Sequence, residues 1–224
     1  MHKAFFITGT DTDVGKTFVA CALLHAWRSQ GLTAVGYKPI AAGASLVDGK
    51  LCNDDAIRLQ VAGTPGFPLD RINPLCLKEA IAPHIAAARS GVAIDMAQLI
   101  AHYESLSSEV DRVIVEGAGG FVVPLSEHID MSHLAQRLEL PVILVVGLRL
   151  GCINHALLTA EAIAGRGLPF AGWIGNVLDA DMPCLEENVA SLRARLQAPC
   201  LGIVPRLTSS EAALAYLQPI ESGA

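Results

Sequence analysis

The chain has 224 residues, enough for one large core, and its composition is apolar, with 52% hydrophobic residues against 17% charged ones. A formal charge of −6 without a basic run excludes a nucleic-acid surface of the usual kind, because such binding works through lysines and arginines that neutralise phosphates. The longest uncharged apolar stretch, residues 141–148, is stopped by Arg149 and is too short to cross a bilayer, so small-molecule work by one cytoplasmic domain over residues 1–224 is the expectation.

The N-terminus passes from Lys3 straight into an apolar strand at residues 4–8, with no pattern of a secretory leader. A helix over 16–29 and a strand over 33–37 follow, which make a βαβ unit. Residues 39–53 and 63–83 are rich in Gly and Pro, lack periodicity and read as functional loops with short local structure, separated by a helix at 54–61. Beyond them the pattern predicts a helix at 96–106, strands at 111–116 and 142–147, a helix at 154–164, a strand at 171–176, a helix at 183–196 and a strand at 200–204. Continuous runs such as Val113-Ile114-Val115 suit parallel strands buried on both sides. Thr208-Ser209-Ser210-Glu211 has capping-box spacing ahead of a short helix. The six cysteines are scattered without a C-x-x-C pair or zinc spacing and read as reduced packing residues. The fold class is α/β, a mostly parallel sheet covered by helices on both faces.

Between the first strand and the first helix lies Gly9-Thr10-Asp11-Thr12-Asp13-Val14-Gly15-Lys16-Thr17, the position and composition of a phosphate-binding loop. Its glycines let backbone N–H groups turn inward and the helix start adds its positive dipole end, so the fold is P-loop NTPase-like and a nucleoside triphosphate is the expected ligand. Lys16 would reach the β and γ phosphates, and the Thr17 hydroxyl would ligate the bridging Mg²⁺. The usual pattern has a Gly where this chain has Thr10.

In open α/β sheets ligands bind outside the carboxyl ends of the strands, which draws attention to the residues there. Lys38 follows the second strand and precedes Pro39, in an extended conformation over the cleft. Glu116, followed by Gly117-Ala118-Gly119-Gly120, stands where nucleotide-binding folds place a Mg²⁺ carboxylate, usually an Asp. Asp54 and Asp55 open a helix, and spacing leaves capping and metal binding equally open. Gly151-Cys152-Ile153-Asn154 begins another helix, where capping by Asn154 is the simpler reading and an anion site the functional one. His84 and His155 read as structural. Asn176-Val177-Leu178-Asp179 lacks the Lys of the guanine-reading motif, and an Asn amide matches the edge of adenine, which favours ATP.

Taken together, Gly9 through Thr17, Gly36-Tyr37-Lys38-Pro39, Val115-Glu116-Gly117-Ala118-Gly119-Gly120 and Leu150-Gly151-Cys152-Ile153-Asn154-His155 resemble the dethiobiotin synthetases, in the family's order and across residues 3–206. The resemblance implies a homodimer that makes dethiobiotin from 7,8-diaminononanoate, CO₂ and ATP with Mg²⁺, through a carbamate and a carbamic-phosphoric anhydride. It implies Thr17, Asp55 and Glu116 on Mg²⁺ and Asp13, Val14, Gly15, Lys16, Thr17 and Phe18 around the phosphates, with Gly117, Ala118 and Gly119 beside them. Asn176 and Val177 with Pro205, Arg206 and Leu207 would lie near adenine. Thr12, Lys16 and Lys38 would surround the carbamate and the phosphoryl group, while Gly151, Cys152 and Asn154 of the neighbouring subunit would take the substrate carboxylate. Ala42 stands where the family often has Ser, which removes a hydroxyl from the substrate site, and Asp13 replaces a common Glu. Two other classes share the loop, a partner-binding switch ATPase and a small-molecule kinase. The switch class is disfavoured by the absence of a second early lysine in the loop, an amphipathic tail and a basic run.

Overall fold

Residues 3–220 are described in a computed structural model, so the ends of the expected domain, residues 1–2 and 221–224, lie outside the described residues. β1 (Ala4–Gly9) leads through the phosphate loop into α1 (Lys16–Ser29) and on to β2 (Ala34–Tyr37). The expected loops carry β3 (Ile40–Ala42), the hairpin β4 (Ser45–Val47) and β5 (Lys50–Cys52), then α2 (Asp54–Ala62), the single turn α3 (Leu69–Ile72) and β6 (Leu75–Leu77). α4 (Pro83–Arg89), α5 (Met96–Ser108), β7 (Arg112–Gly120), α6 (Met131–Arg137), β8 (Val142–Leu148) and α7 (Cys152–Gly165) follow. β9 (Phe170–Val177), α8 (Leu185–Arg195), β10 (Cys200–Val204) and a 3-10 turn at Ala212–Tyr216 are the last elements among the described residues.

The principal sheet has the order β10-β9-β8-β1-β7-β2, and every pairing in it is parallel. β8 shows why its strands read as unbroken apolar runs. Ile143 and Val145 pack into the core that includes α1, whereas Leu144, Val146 and Leu148 pack with Trp173 against α7 and α8 on the other side. With a side-chain period of two, both faces are covered and alternation with polar residues has no place.

Two helices escaped the sequence reading. α4 starts on Pro83, whose fixed φ suits the first helical position, and α6 is capped by Asp130, which accepts from Ser132 N at 2.8 Å while His133 Nδ1 accepts from Asp130 N at 3.2 Å. A histidine thus fills the place where a Glu or Gln would have signalled the capping box. Arg166 donates to Asp130 Oδ2 at 3.0 Å and joins α6 to the end of α7.

The short helix expected near the C-terminus is present as the 3-10 turn, but its expected capping needs correction, since no side chain caps it. It is held by the sheet edge, where Gly202 bridges Leu217 and Gln218 N donates to Leu201 O at 2.7 Å, so this segment covers the outer edge of β10. Among the described residues no helix is long and apolar enough to cross a membrane.

Candidate active site

The phosphate loop bends as its composition requires. Asp13 and Gly15 have positive φ, 57° and 88°, and a short Asp enters that region more readily than most L-residues. Asn176, at the end of β9, donates to Val14 O at 2.9 Å and fixes the back of the loop. A Cβ on Gly15 would collide with the Asn176 amide nitrogen. Gly15→Ala therefore combines a clash with left-handed strain of roughly 1–2 kcal/mol, and nucleotide affinity measured by calorimetry is expected to fall at least about tenfold. Affinity equal to that of the unaltered chain would mean the loop tolerates the clash.

Parallel register brings the charged groups together. Tyr37 pairs with Val115 and Ile7 pairs with Glu116, so Lys38 emerges from β2 level with Glu116 on β7. Lys38 Nζ lies 2.6 Å from Glu116 Oε1, 3.4 Å from Asp55 Oδ2 and 3.4 Å from Gly117 O, and the Thr17 hydroxyl donates to the same Glu116 Oε1 at 2.8 Å. Glu116 is fully buried, and its Oε2 has no hydrogen-bond partner. Burial works against the charge on Lys38, but the Glu116 and Asp55 carboxylates outweigh it and hold its pKa above the ordinary lysine value. Lys16, whose Nζ donates to Asp11 O at 3.1 Å, is drawn below the ordinary value by burial and then by the Lys38 cation, against the pull of Glu116, Asp55 and Asp13.

Two sequence readings are refined here. Glu116 does not end its strand, because β7 continues through the glycines to Gly120, which pairs with Gly9. The cap of α2 is neither Asp54 nor Asp55. Asn53 Oδ1 accepts from Asp55 N at 3.1 Å and Ala56 N at 3.4 Å, while its amide donates to Ala42 O and Gly43 O, and the Asp55 carboxylate is left to face Lys38.

These residues border one cleft of about 790 Å³. It gathers Thr12, Asp13, Gly15, Lys16, Thr17, Phe18, Lys38, Ala42, Asp55, Glu116, Ala118 and Gly119 from the expected site. Asn53, Arg58, Val123 and the Ala80, Ile81, Ala82 and Pro83 segment also line it and were missed. Asn53 carried a legible signal, an Asn directly before a helix. Arg58 carried one too, since three residues after Asp55 is the same helical face.

Other expected residues stand outside the cleft walls. Val14 is buried behind the loop, and Gly117 is buried beside Lys38. Asn176 and Val177 close β9, and Pro205, Arg206 and Leu207 follow the carboxyl end of β10. Gly151, Cys152 and Asn154 belong to the start of α7, which begins at Cys152 instead of Asn154, with Gly151 as the cap at φ 93°. The Cys152 N–H already donates to Arg149 O at 3.0 Å and its side chain is buried, so the N–H groups this helix start could offer an anion are those of Ile153 and Asn154. Arg149 Nη2 meets Asp11 Oδ2 at 2.5 Å and ties this helix start to the phosphate loop.

The donor set suits Mg²⁺: a hydroxyl and two carboxylates are hard oxygen ligands, and a buried carboxylate oxygen without a partner is an acceptor awaiting a cation. The loop and its glycine suit a triphosphate.

A family profile described as AAA_26, AAA domain, matches residues 3–213. Among curated relatives, the ATP-dependent dethiobiotin synthetase BioD of Aromatoleum aromaticum is 56% identical, with 94% of each chain covered. That of Cellvibrio japonicus is 54% identical, over 96% of this chain and 95% of its own. In fold alone the chain is similar to a ParA family ATPase from Chlorobium tepidum, with a TM-score of 0.59 at 13% identity, covering 95% of this chain and 90% of that one. The P-loop NTPase-like architecture is therefore shared with distant ATPases, while identity above one half along nearly the whole length is far narrower, and the chain belongs to the ATP-dependent dethiobiotin synthetase family.

Proposed function

We propose that the chain is a cyclo-ligase that converts 7,8-diaminononanoate, CO₂ and ATP into dethiobiotin, ADP and phosphate. The observation that carries this reading is the convergence of Lys16, Lys38, Thr17, Asp55 and Glu116 on one cleft in a chain so similar to named dethiobiotin synthetases. One amine of the substrate adds to CO₂ and loses a proton, giving a carbamate. A carbamate oxygen then takes the γ-phosphoryl group as ADP leaves, and the second amine attacks the carbamoyl carbon, expelling phosphate and closing the ring.

Thr17, Asp55 and Glu116 would hold Mg²⁺, which when bound supplies charge neutralisation between the phosphates. Lys16 and the backbone N–H groups of residues 13–18 would hold the phosphates, with Lys38 and Thr12 on the carbamate, so that negative charge passing from donor to acceptor stays between two cations. Ala42 leaves this contact to Lys38 and Thr12. Asn176 retains an amide oxygen without a donor among the described residues, and with Val177, Pro205, Arg206 and Leu207 it would receive adenine. A cytoplasmic, single-domain enzyme fits this chemistry.

The reading includes a homodimer in which the start of α7 in one subunit, residues 151–154, receives the substrate carboxylate of the other, with Ile153 and Asn154 in place of the engaged Cys152 offering N–H groups. Two features support it. The start of α7 stands outside the cleft that holds Lys38, and Leu150 and Leu158 beside it are 95% and 57% exposed, which is costly for a monomer. Leu158→Glu is expected to weaken the dimer by roughly 2 kcal/mol or more and to lower turnover in step, as sedimentation and activity assays would report. An unchanged monomer–dimer equilibrium would remove this helix from the interface.

The direct test is mass spectrometry of products formed from labelled bicarbonate, ATP, Mg²⁺ and 7,8-diaminononanoate. Labelled dethiobiotin in step with ADP is expected. A phosphorylated product without ring closure would indicate the kinase reading instead.

A further inference from the structure

Lys38 does not point into open cleft. Its ammonium is buried against Glu116 Oε1, Asp55 Oδ2 and Gly117 O, and Thr17 donates to the same Glu116 oxygen. Three of these groups, Thr17, Asp55 and Glu116, are the ones read above as metal ligands, so this inference rests on that reading. A divalent cation held by oxygens at about 2 Å would lie almost on top of the ammonium, and two like charges cannot share the place. We propose that Lys38 is an internal substitute for the divalent cation, closing the metal site until metal arrives with nucleotide, and that its displacement is the movement that brings the ammonium to the carbamate.

The surroundings allow that movement. The Lys38 backbone is clamped, since its N–H donates to Ile72 O at 2.8 Å and its carbonyl accepts from Asn73 Nδ2 at 2.6 Å, so only the four-carbon side chain needs to turn. Glu116 Oε2, buried and unpartnered, gives an incoming cation an oxygen that Lys38 does not occupy. Metal entry and lysine delivery thus become one event. Before metal arrives, Lys38 is withheld from the acceptor; afterwards it faces the same cleft with Glu116 neutralised by the metal.

This arrangement has a consequence that a lysine acting only on substrate lacks: removing it should improve metal binding. The test is titration of the nucleotide-free protein with Mn²⁺, followed by electron paramagnetic resonance. Because a like charge is removed, Lys38→Met is expected to bind Mn²⁺ about tenfold or more tightly than the unaltered chain, and Glu116→Gln in the same background should abolish the gain. Lys38→Gln, which keeps an N–H donor for Glu116, provides a second neutral variant should the methionine chain fail to fold, with a gain of the same sign. Equal or weaker Mn²⁺ binding in a folded neutral variant overturns the proposal. Failure of the unaltered chain to bind Mn²⁺ even with ATP would instead overturn the assignment of Thr17, Asp55 and Glu116 as the metal site, so the two failures are distinguishable.

Discussion

Replacing Lys38 with alanine is expected to lower dethiobiotin formation by roughly 100- to 1,000-fold and to weaken the fold at the same time. Both effects follow from one position. On the chemical side, the cation proposed to reach the acceptor is lost, and no other described lysine or arginine lies within ion-pair distance of Glu116 or Asp55 to replace it. On the structural side, the fully buried Glu116 carboxylate loses its 2.6 Å partner, and an uncompensated buried charge of this kind costs about 3–5 kcal/mol. ATP binding should persist, because the loop is fixed by Asn176 and Lys16 from the other side. Steady-state turnover, urea unfolding and nucleotide titration of the same preparation separate the three. Turnover within a factor of about three of the unaltered chain would remove Lys38 from the chemistry, since loss of a single charge-stabilising donor costs far more.

Much of this site was legible because its parts sit at strand ends, where chain order and parallel topology restrict what can meet. Lys16 and Thr17 were fixed by the loop, and Lys38 and Glu116 by the strands they terminate or continue. What sequence could not supply was register. That Tyr37 pairs with Val115, placing Lys38 level with Glu116, depends on strands whose partners are 78 residues apart, and a shift of one residue would have turned the carboxylate to the other face. The same applies to Asn176, whose amide was read as facing adenine and whose donor is on Val14 O. The unseen helices had local signals of unusual form, a histidine in the capping box of α6 and a proline opening the short α4. The 3-10 turn at the C-terminus followed from pairing with β10, a tertiary demand that overrode a local capping pattern.

Glu116→Gln should produce the second large loss, and its combination with a change at Lys38 distinguishes stability from function. Alone, the amide keeps an acceptor for Thr17 but withdraws the negative charge, leaving buried Lys38 with Asp55 at 3.4 Å as its one remaining carboxylate, so a cost of about 3–5 kcal/mol is expected again. The double variant Lys38→Met with Glu116→Gln removes both charges, and its loss should fall short of the sum of the single losses by up to about 3 kcal/mol. Urea unfolding of the four proteins gives the coupling, and additive losses would show that the two groups do not depend on one another in the fold. Activity should behave differently, with turnover at least about 100-fold down in all three variants, because a recovered fold restores neither the carboxylate proposed for the metal nor the cation proposed for the acceptor. A buried ion pair is weak support for a fold when an apolar pair can replace it. If the double variant is stable and inactive, the reason for keeping Lys38 and Glu116 together lies in the reaction, where one must release the other.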